Sequence, residues 1–240
     1  MDVTDELRRE FAPTGVLRAA LNHGNRVLVS RDEDGTARGI TIDLAHALAS
    51  ELGLPLEFVH FDKAGDVTSA ATSGVYDVCF LAVDPARAET IFFTAPYVKI
   101  EGSYLVSASC NTRDAATLVA EGHKIAAVQG SAYTLDLSRK PGAENLVLFP
   151  DFPSAAAAFD SGSVPAMAGI GAVMEKEAEL RPGSRVLNPP FMTICQAMGM
   201  PRGRPAAAEF LASFVQSMLA SGRVGQILER HGVSADCAAI

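Results

Sequence analysis

Tyr76-Asp77-Val78-Cys79-Phe80-Leu81-Ala82-Val83-Asp84-Pro85-Ala86-Arg87, continued at Phe93-Thr94-Ala95-Pro96-Tyr97, is the stretch whose reading decides the fold. Tyr76 to Val83 is a short apolar run bounded by turn residues, the pattern of a strand buried on both faces. Pro85 cannot donate to a β-ladder, and an Asp before Pro marks a turn or a helix start, so the strand stops at Asp84-Pro85. Arg87 then stands one short turn beyond the carboxyl end of a buried strand. Ligands of open α/β sheets bind at that end. A guanidinium fork there suits a ligand with a carboxylate.

Working toward the N-terminus, Gly15–Leu21 reads as a first strand, followed by a loop over Asn22-His23-Gly24-Asn25. Gly39-Ile40-Thr41-Ile42-Asp43 opens a helix that runs to Leu52. Leu44, Ala45, Leu48 and Leu52 lie on one face, and Gly53 is its stop. Leu56–Phe61 is the next strand and Asp66–Ser73 a short helix closed by Gly74. The order is β-α-β-α-β, which argues for a parallel sheet with helices on its faces. Working toward the C-terminus, Gly102–Val106 is a strand leaving this unit, and a second α/β series follows. Its helices are expected over Asp114–Ala120, over Ala132–Ser138 with Ser131 as N-cap, over Pro153–Ser161, and from the strand Val164–Ala168 to Leu180. Its strands are expected at Lys124–Val128, Leu146–Phe149, Arg185–Leu187 and Phe191–Met198. Helices over Pro205–Ser221 and Val224–His231 close the chain. Phe210, Leu211, Phe214, Val215 and Met218 recur at helical spacing as core. Two α/β series joined at Tyr97–Glu101 suggest two lobes.

Composition narrows the function. The chain has 240 residues, enough for one large domain or two smaller ones, and 48% hydrophobic residues to fill a core. The formal net charge is −8 and no basic run is present, which disfavours nucleic acid as a partner. Cys79, Cys110, Cys195 and Cys237 are far apart, and the five histidines are scattered, so neither a metal nor another cofactor is expected. No stretch approaches the ~18 apolar residues of a membrane span. Acidic residues at the N-terminus stand where a secretion signal carries bases. The expectation is a cytoplasmic monomer without membrane insertion, with the periplasm as the alternative where a leader has been removed.

Three patterns in this order resemble the extracellular solute-binding proteins of amino-acid ABC transporters. They are the helix start Gly39-Ile40-Thr41-Ile42-Asp43-Leu44-Ala45, the arginine turn with its spacing to Phe93-Thr94-Ala95-Pro96-Tyr97, and the closing segment Gly222 to Gly232. The likeness runs from about Gly15 to Gly232. It implies an α/β, two-lobed type 2 periplasmic-binding-protein-like fold with two crossing hinge segments. Lobe 1 would comprise residues 1–97 and 193–240, lobe 2 residues 102–188, and the hinges residues 98–101 and 189–192. It implies a protein that captures a small carboxylate-bearing, amino-acid-like ligand between its lobes for an ABC permease.

The same resemblance assigns the candidate site. Arg87 matches the arginine that holds the ligand carboxylate; the competing reading is a surface arginine paired with Glu89 or Asp84. Gln129-Gly130-Ser131, with Tyr133 in the following turn, matches the second-lobe segment whose backbone N–H groups meet that carboxylate. A strand-to-helix turn of this kind supplies unpaired donors, or serves as an ordinary N-cap. Three departures stand beside these matches. Gly169-Ile170-Gly171 occupies the place of the acid that pairs with the ligand α-ammonium. Ala82-Val83-Asp84 replaces the hydroxyl acceptor before the arginine turn. Asn25-Arg26-Val27-Leu28 replaces a stacking aromatic. A buried ammonium without an acid is costly. Either Asp84 or Glu101 therefore substitutes, or the ligand lacks an α-ammonium. Two further readings stand beside the binding protein: a cyclohexadienyl-dehydratase-like enzyme on the same fold, which needs a general acid such as Glu101, Asp84 or Glu175, and a cytosolic ligand sensor.

Overall fold

The computed structural model describes residues 2–32 and 35–239. Its elements run in the order α1 (Asp5–Phe11), β1 (Leu17–Asn22), β2 (Ser30–Arg31), β3 (Ala37–Arg38), α2 (Ile40–Leu52), β4 (Leu56–Phe61), α3 (Ala64–Ser69), β5 (Val78–Ala82) and the long strand β6 (Ile91–Val106). They continue with α4 (Ala115–Ala120), β7 (Ile125–Val128), α5 (Ala132–Leu137), β8 (Leu146–Phe149), α6 (Phe152–Asp160), β9 (Ala166–Ile170), α7 (Gly171–Glu179) and β10 (Arg185–Val186). Strand β11 (Met192–Pro201) precedes the closing helices α8 (Pro205–Ala220) and α9 (Arg223–Arg230). The chain divides into two compact units, Met1–Lys99 with Cys195–Ile240, and Ile100–Ile194. Strands β6 and β11 each run across a boundary between them. Among the described residues, no helix is long and apolar enough to cross a membrane.

In the first unit β4, β1 and β5 run parallel with β1 between its two neighbours, and β11 runs antiparallel beside β5. All five residues of β5 are buried, as its continuous apolar run requires. Helix α2 starts at Gly39, whose φ of +137° lies in a region closed to side chains. A Cβ there would also stand 2.4 Å from the Leu28 carbonyl oxygen. Asp43, in the first turn of α2, accepts from Arg230 Nη1 at 2.8 Å and meets His231 Nε2 at 3.0 Å. The helix-start pattern and the closing segment read separately in the sequence are thus one polar contact. Helix α8 buries Phe210, Leu211, Phe214, Val215 and Met218, the stripe its spacing predicts.

The polar anchor of this unit is Asp77, which is fully buried. Arg18 of β1 grips it as a fork, Nε to Oδ2 and Nη2 to Oδ1, both at 2.9 Å. Arg204, just before α8, donates to Oδ1 at 3.0 Å and to the Phe11 carbonyl at 3.2 Å. The Asp77 carboxylate holds the Arg18 guanidinium above its ordinary pKa by hydrogen bonding. Strand β1, the start of β5, the end of α1 and the start of α8 therefore meet on one carboxylate.

In the second unit β9 lies between β6 and β7, antiparallel to the first and parallel to the second. β8 pairs parallel with β7, and β10 pairs antiparallel with β6. The core gathers Leu105, Ala126, Ala155, Phe159, Val164, Met167 and Met174. Three helices begin on side-chain caps: Asp114 accepts from Thr117 N at 2.8 Å, Ser131 from Thr134 N at 3.2 Å, and Asp151 from Ser154 N at 2.8 Å.

Several elements differ from the sequence expectation, among them the short strands β2 and β3, which it does not contain. Phe93–Tyr97 and Gly102–Val106 belong to one uninterrupted strand, β6, because extended backbone accepts both the fixed φ of Pro96 and the glycine. The strand expected at Val164–Ala168 is β9, two residues later; Pro165 stays outside it and gives its carbonyl to Ser107 N at 2.9 Å. Helix α3 is Ala64–Ser69, with further turns before Gly74. Helix α1 was not expected. Thr4 caps it, Asp5 and Glu6 sit in its first turn and Arg8 and Arg9 in its last, which complements the helix dipole. It buries Leu7 and Phe11, with the Phe11 ring edge-on to Phe210 at 5.8 Å.

Removing the buried carboxylate strands two guanidinium groups, so Asp77→Ala should lower unfolding free energy by about 3–5 kcal/mol. Calorimetric melting checks this, and a loss below about 1 kcal/mol would show that Asp77 is not the anchor. Gly39→Ala should cost more than Gly53→Ala, although both glycines have positive φ, because only Gly39 adds a backbone collision. Urea midpoints of the two variants in the reverse order would refute that reading.

Candidate functional site

The site starts from how β5 ends. Val83 N donates to the Cys195 carbonyl at 2.9 Å, the last tie of this stretch to the β11 segment. Asp84 then turns the chain: its Oδ1 accepts from Ala86 N and its carbonyl from Ala88 N, both at 2.9 Å. Pro85, which has no N–H to satisfy, fits inside that turn. The chain enters a single 3-10 turn, Arg87–Glu89, and the Arg87 side chain returns to the strand end, where Nη1 donates to the Ala82 carbonyl at 3.0 Å.

Arg87 is only 2% exposed, so it is not a surface arginine, and Glu89 is exposed. Burial pulls the Arg87 pKa below its ordinary value, while the charges of Asp84 and Cys79 oppose that. Asp84 is itself buried. Burial pushes the neighbouring Cys79 thiol up to about 12, despite the cation nearby. The result is a cation withdrawn from water beside one acid and one carbonyl, and a guanidinium fork of this kind is chemically suited to an oxyanion.

Ala82 pairs in register with Gln196 of β11, a buried amide that the sequence reading passed over. Its signal was available: Gln196 is the one amide in the apolar run Ile194-Cys195-Gln196-Ala197-Met198. Asn25 is buried in the loop after β1, where its Oδ1 accepts from Val27 N at 3.3 Å and its carbonyl accepts from Leu28 N and Val29 N. In place of the missing aromatic, the same loop carries His23, whose ring stacks on His60 with Nε2 and Nδ1 2.8 Å apart.

In the second unit Gln129, Gly130, Ser131 and Tyr133 lie on the turn from β7 into α5. The expectation of unpaired donors is corrected here. Gln129 N donates to the Phe149 carbonyl at 2.9 Å and Ser131 N to the Val128 carbonyl at 3.2 Å. Ser131 Oγ caps α5 and donates to Thr134 Oγ1 at 2.8 Å, so the cap reading of this serine holds. Gly130, with φ +74°, makes the turn that allows both backbone bonds. Tyr133 is buried, and burial pushes its phenol up to about 12.

Ile170 ends β9 opposite Gly102 and is followed at once by α7. A Cβ on Gly171 would stand 3.4 Å from Glu101 Cβ and 3.2 Å from Ser103 Oγ. The absent acid at Ile170 and the exposed Glu101 are therefore neighbours within this unit, brought together by the β6–β9 ladder. Glu175 is exposed farther along α7. Among the described residues, no group of three or more potential ligands is arranged to hold a metal.

Comparison with solved structures places this architecture. A mutant of ArgBP from T. maritima superposes with a TM-score of 0.79 at 19% identity, covering 94% of this chain and 99% of that one. The ancestral amino acid-binding protein AncCDT-1, a precursor of cyclohexadienyl dehydratase, gives 0.77 at 22% identity, covering 95% and 99%. The solute receptor for L-cysteine of Neisseria gonorrhoeae gives 0.77 at 22%, covering 91% and 90%. At such identities the likeness is one of fold, that of the type 2 periplasmic binding proteins. No curated protein matches the chain. The family model of the bacterial extracellular solute-binding proteins, family 3, matches residues 17–234, nearly the full length over which the elements above were built, and the chain belongs to that family.

Proposed function

We propose that this protein binds a small amino-acid-type ligand, with Arg87 holding its carboxylate, and delivers it to an ABC permease. The observation that carries the proposal is the burial of the Arg87 guanidinium at the carboxyl end of β5. The Gln129 and Ser131 N–H groups are committed inside their own unit, so Arg87 bears more of the carboxylate than the sequence reading assumed. Hinge closure of the two units over the ligand, driven by its higher affinity for the closed form, belongs to the same proposal.

Of the two acids that could meet an α-ammonium, we assign the role to Glu101. Asp84 is engaged by Ala86 N and by the charge of Arg87. Glu101 is exposed and adjoins Gly171, directly after the position where the usual acid is missing. With that acid available, the ligand keeps its α-ammonium.

Arg87→Ala should weaken carboxylate ligands by 30-fold or more, the equivalent of about 2–5 kcal/mol for truncating one partner of a desolvated charge pair. It should also lower the melting temperature of the unliganded protein, because Asp84 loses its neighbour. Titration calorimetry across the common L-amino acids reads the first effect and thermal melting the second. Unchanged affinity would remove Arg87 from the site.

Glu101→Gln should weaken an L-amino acid by tenfold or more and leave the matching 2-hydroxy acid unaffected. Equal losses for both would exclude the ammonium role. Incubation with prephenate and arogenate tests the enzymatic reading, for which release of an aromatic product would be decisive.

A further inference from the structure

Helices α2 and α9 of the first unit border an open polar groove of about 320 Å³, lined by no residue of the Arg87 turn. This volume lies at the lower end of small-molecule sites. Helix α9 contributes Arg223, Gln226, Ile227 and Arg230, a spacing that puts all four on one helical face. Helix α2 contributes Asp43 and His46. Ile227 is the buried apolar member, whereas Arg223, Gln226, Arg230 and His46 are exposed.

The charges do not cancel. Asp43 Oδ2 is met by Arg230 Nη1 at 2.8 Å and by His231 Nε2 at 3.0 Å, so this carboxylate is answered within the helix pair. The Arg223 side chain makes no hydrogen bond or ion pair among the described residues. Two guanidinium groups thus face one carboxylate in a groove of a chain whose net charge is −8. A positive concavity on an acidic protein concentrates anions locally. The His46 ring packs T-shaped against Phe58, at a centroid distance of 5.6 Å.

We propose that the α2–α9 groove is a second binding site, for a small multivalent oxyanion bearing carboxylate or phosphate groups. Arg223 is its main contact, the Gln226 amide a donor, and Arg230 a cation shared with Asp43. Arg223 and Arg230 are two turns apart, about 10 Å along the axis. An anion that engages both therefore needs more than one charged group.

The test is titration calorimetry at constant ionic strength with citrate, pyrophosphate and, as the singly charged control, acetate. It is run on the wild type and on Arg87→Ala, which lacks the ligand site proposed above. Citrate or pyrophosphate should bind in both proteins, more tightly than acetate, and the stronger of the two assigns the chemistry to carboxylate or phosphate. Arg223→Gln should weaken binding tenfold or more. Gln226→Glu, at another exposed position, should weaken it too by adding a repelling charge. The proposal is overturned if neither anion binds, if acetate binds as well as they do, or if Arg223→Gln leaves the affinity unchanged.

Discussion

A guanidinium removed from water must be answered by oxygen atoms, and Arg87 imposes that demand on the first unit. The Ala82 carbonyl can serve because β5 ends there and the chain turns away. Asp84 is near because Pro85 tightens the turn that follows. Each of these conditions is set by the strand before it. β5 is anchored at its other end by Asp77, buried between Arg18 and Arg204. The strand therefore carries a buried acid just before its start and a buried base just after its end, separated by about 17 Å of extended chain. Charge placed at both ends of a short buried strand is specified only when both are paired, which is why this region gathers so many side-chain hydrogen bonds.

The second unit follows a different economy. Three of its helices begin on Asp114, Ser131 and Asp151, and its packing relies on small residues, above all the alanines of α6 against β7, β8 and β9. Close approach of this kind leaves little room for new side chains. Gly169 and Gly171 show it most clearly: a Cβ at the first would meet Met174 at 2.5 Å, and at the second would press on Ser103 and Glu101. Ile170 is thus framed by two positions where an added side chain would displace the end of Met174 or crowd Ser103 and Glu101.

Much of the fold was legible because short-range physics writes itself locally. The stripe of α8, the glycine stop of α2 and the three capped helices are patterns within a few residues. The errors fell where local signals mislead. Pro96 and Gly102 look like interruptions, yet an extended strand accepts both. The acidic N-terminal segment shows no long apolar stripe, yet as α1 it buries Leu7 and Phe11, the latter against Phe210 of α8. In the candidate site, the place of Arg87 after a buried strand was legible, but its burial was not. Gln196 looked like one polar residue among apolar ones until strand register set it beside Ala82.

Sequence alone determined the family and the order of most elements, since these depend on residue type and spacing. Only the tertiary structure decided which polar groups were still available. The N–H groups of Gln129 and Ser131, the carboxylate of Asp84 and the pairing of Asp43 with Arg230 and His231 are all settled by hydrogen bonds. Some of those partners are a turn away, others as distant in the chain as residue 43 from residue 231. A donor or acceptor is a property of one residue, whereas its availability depends on whatever the fold brings within about 3 Å of it.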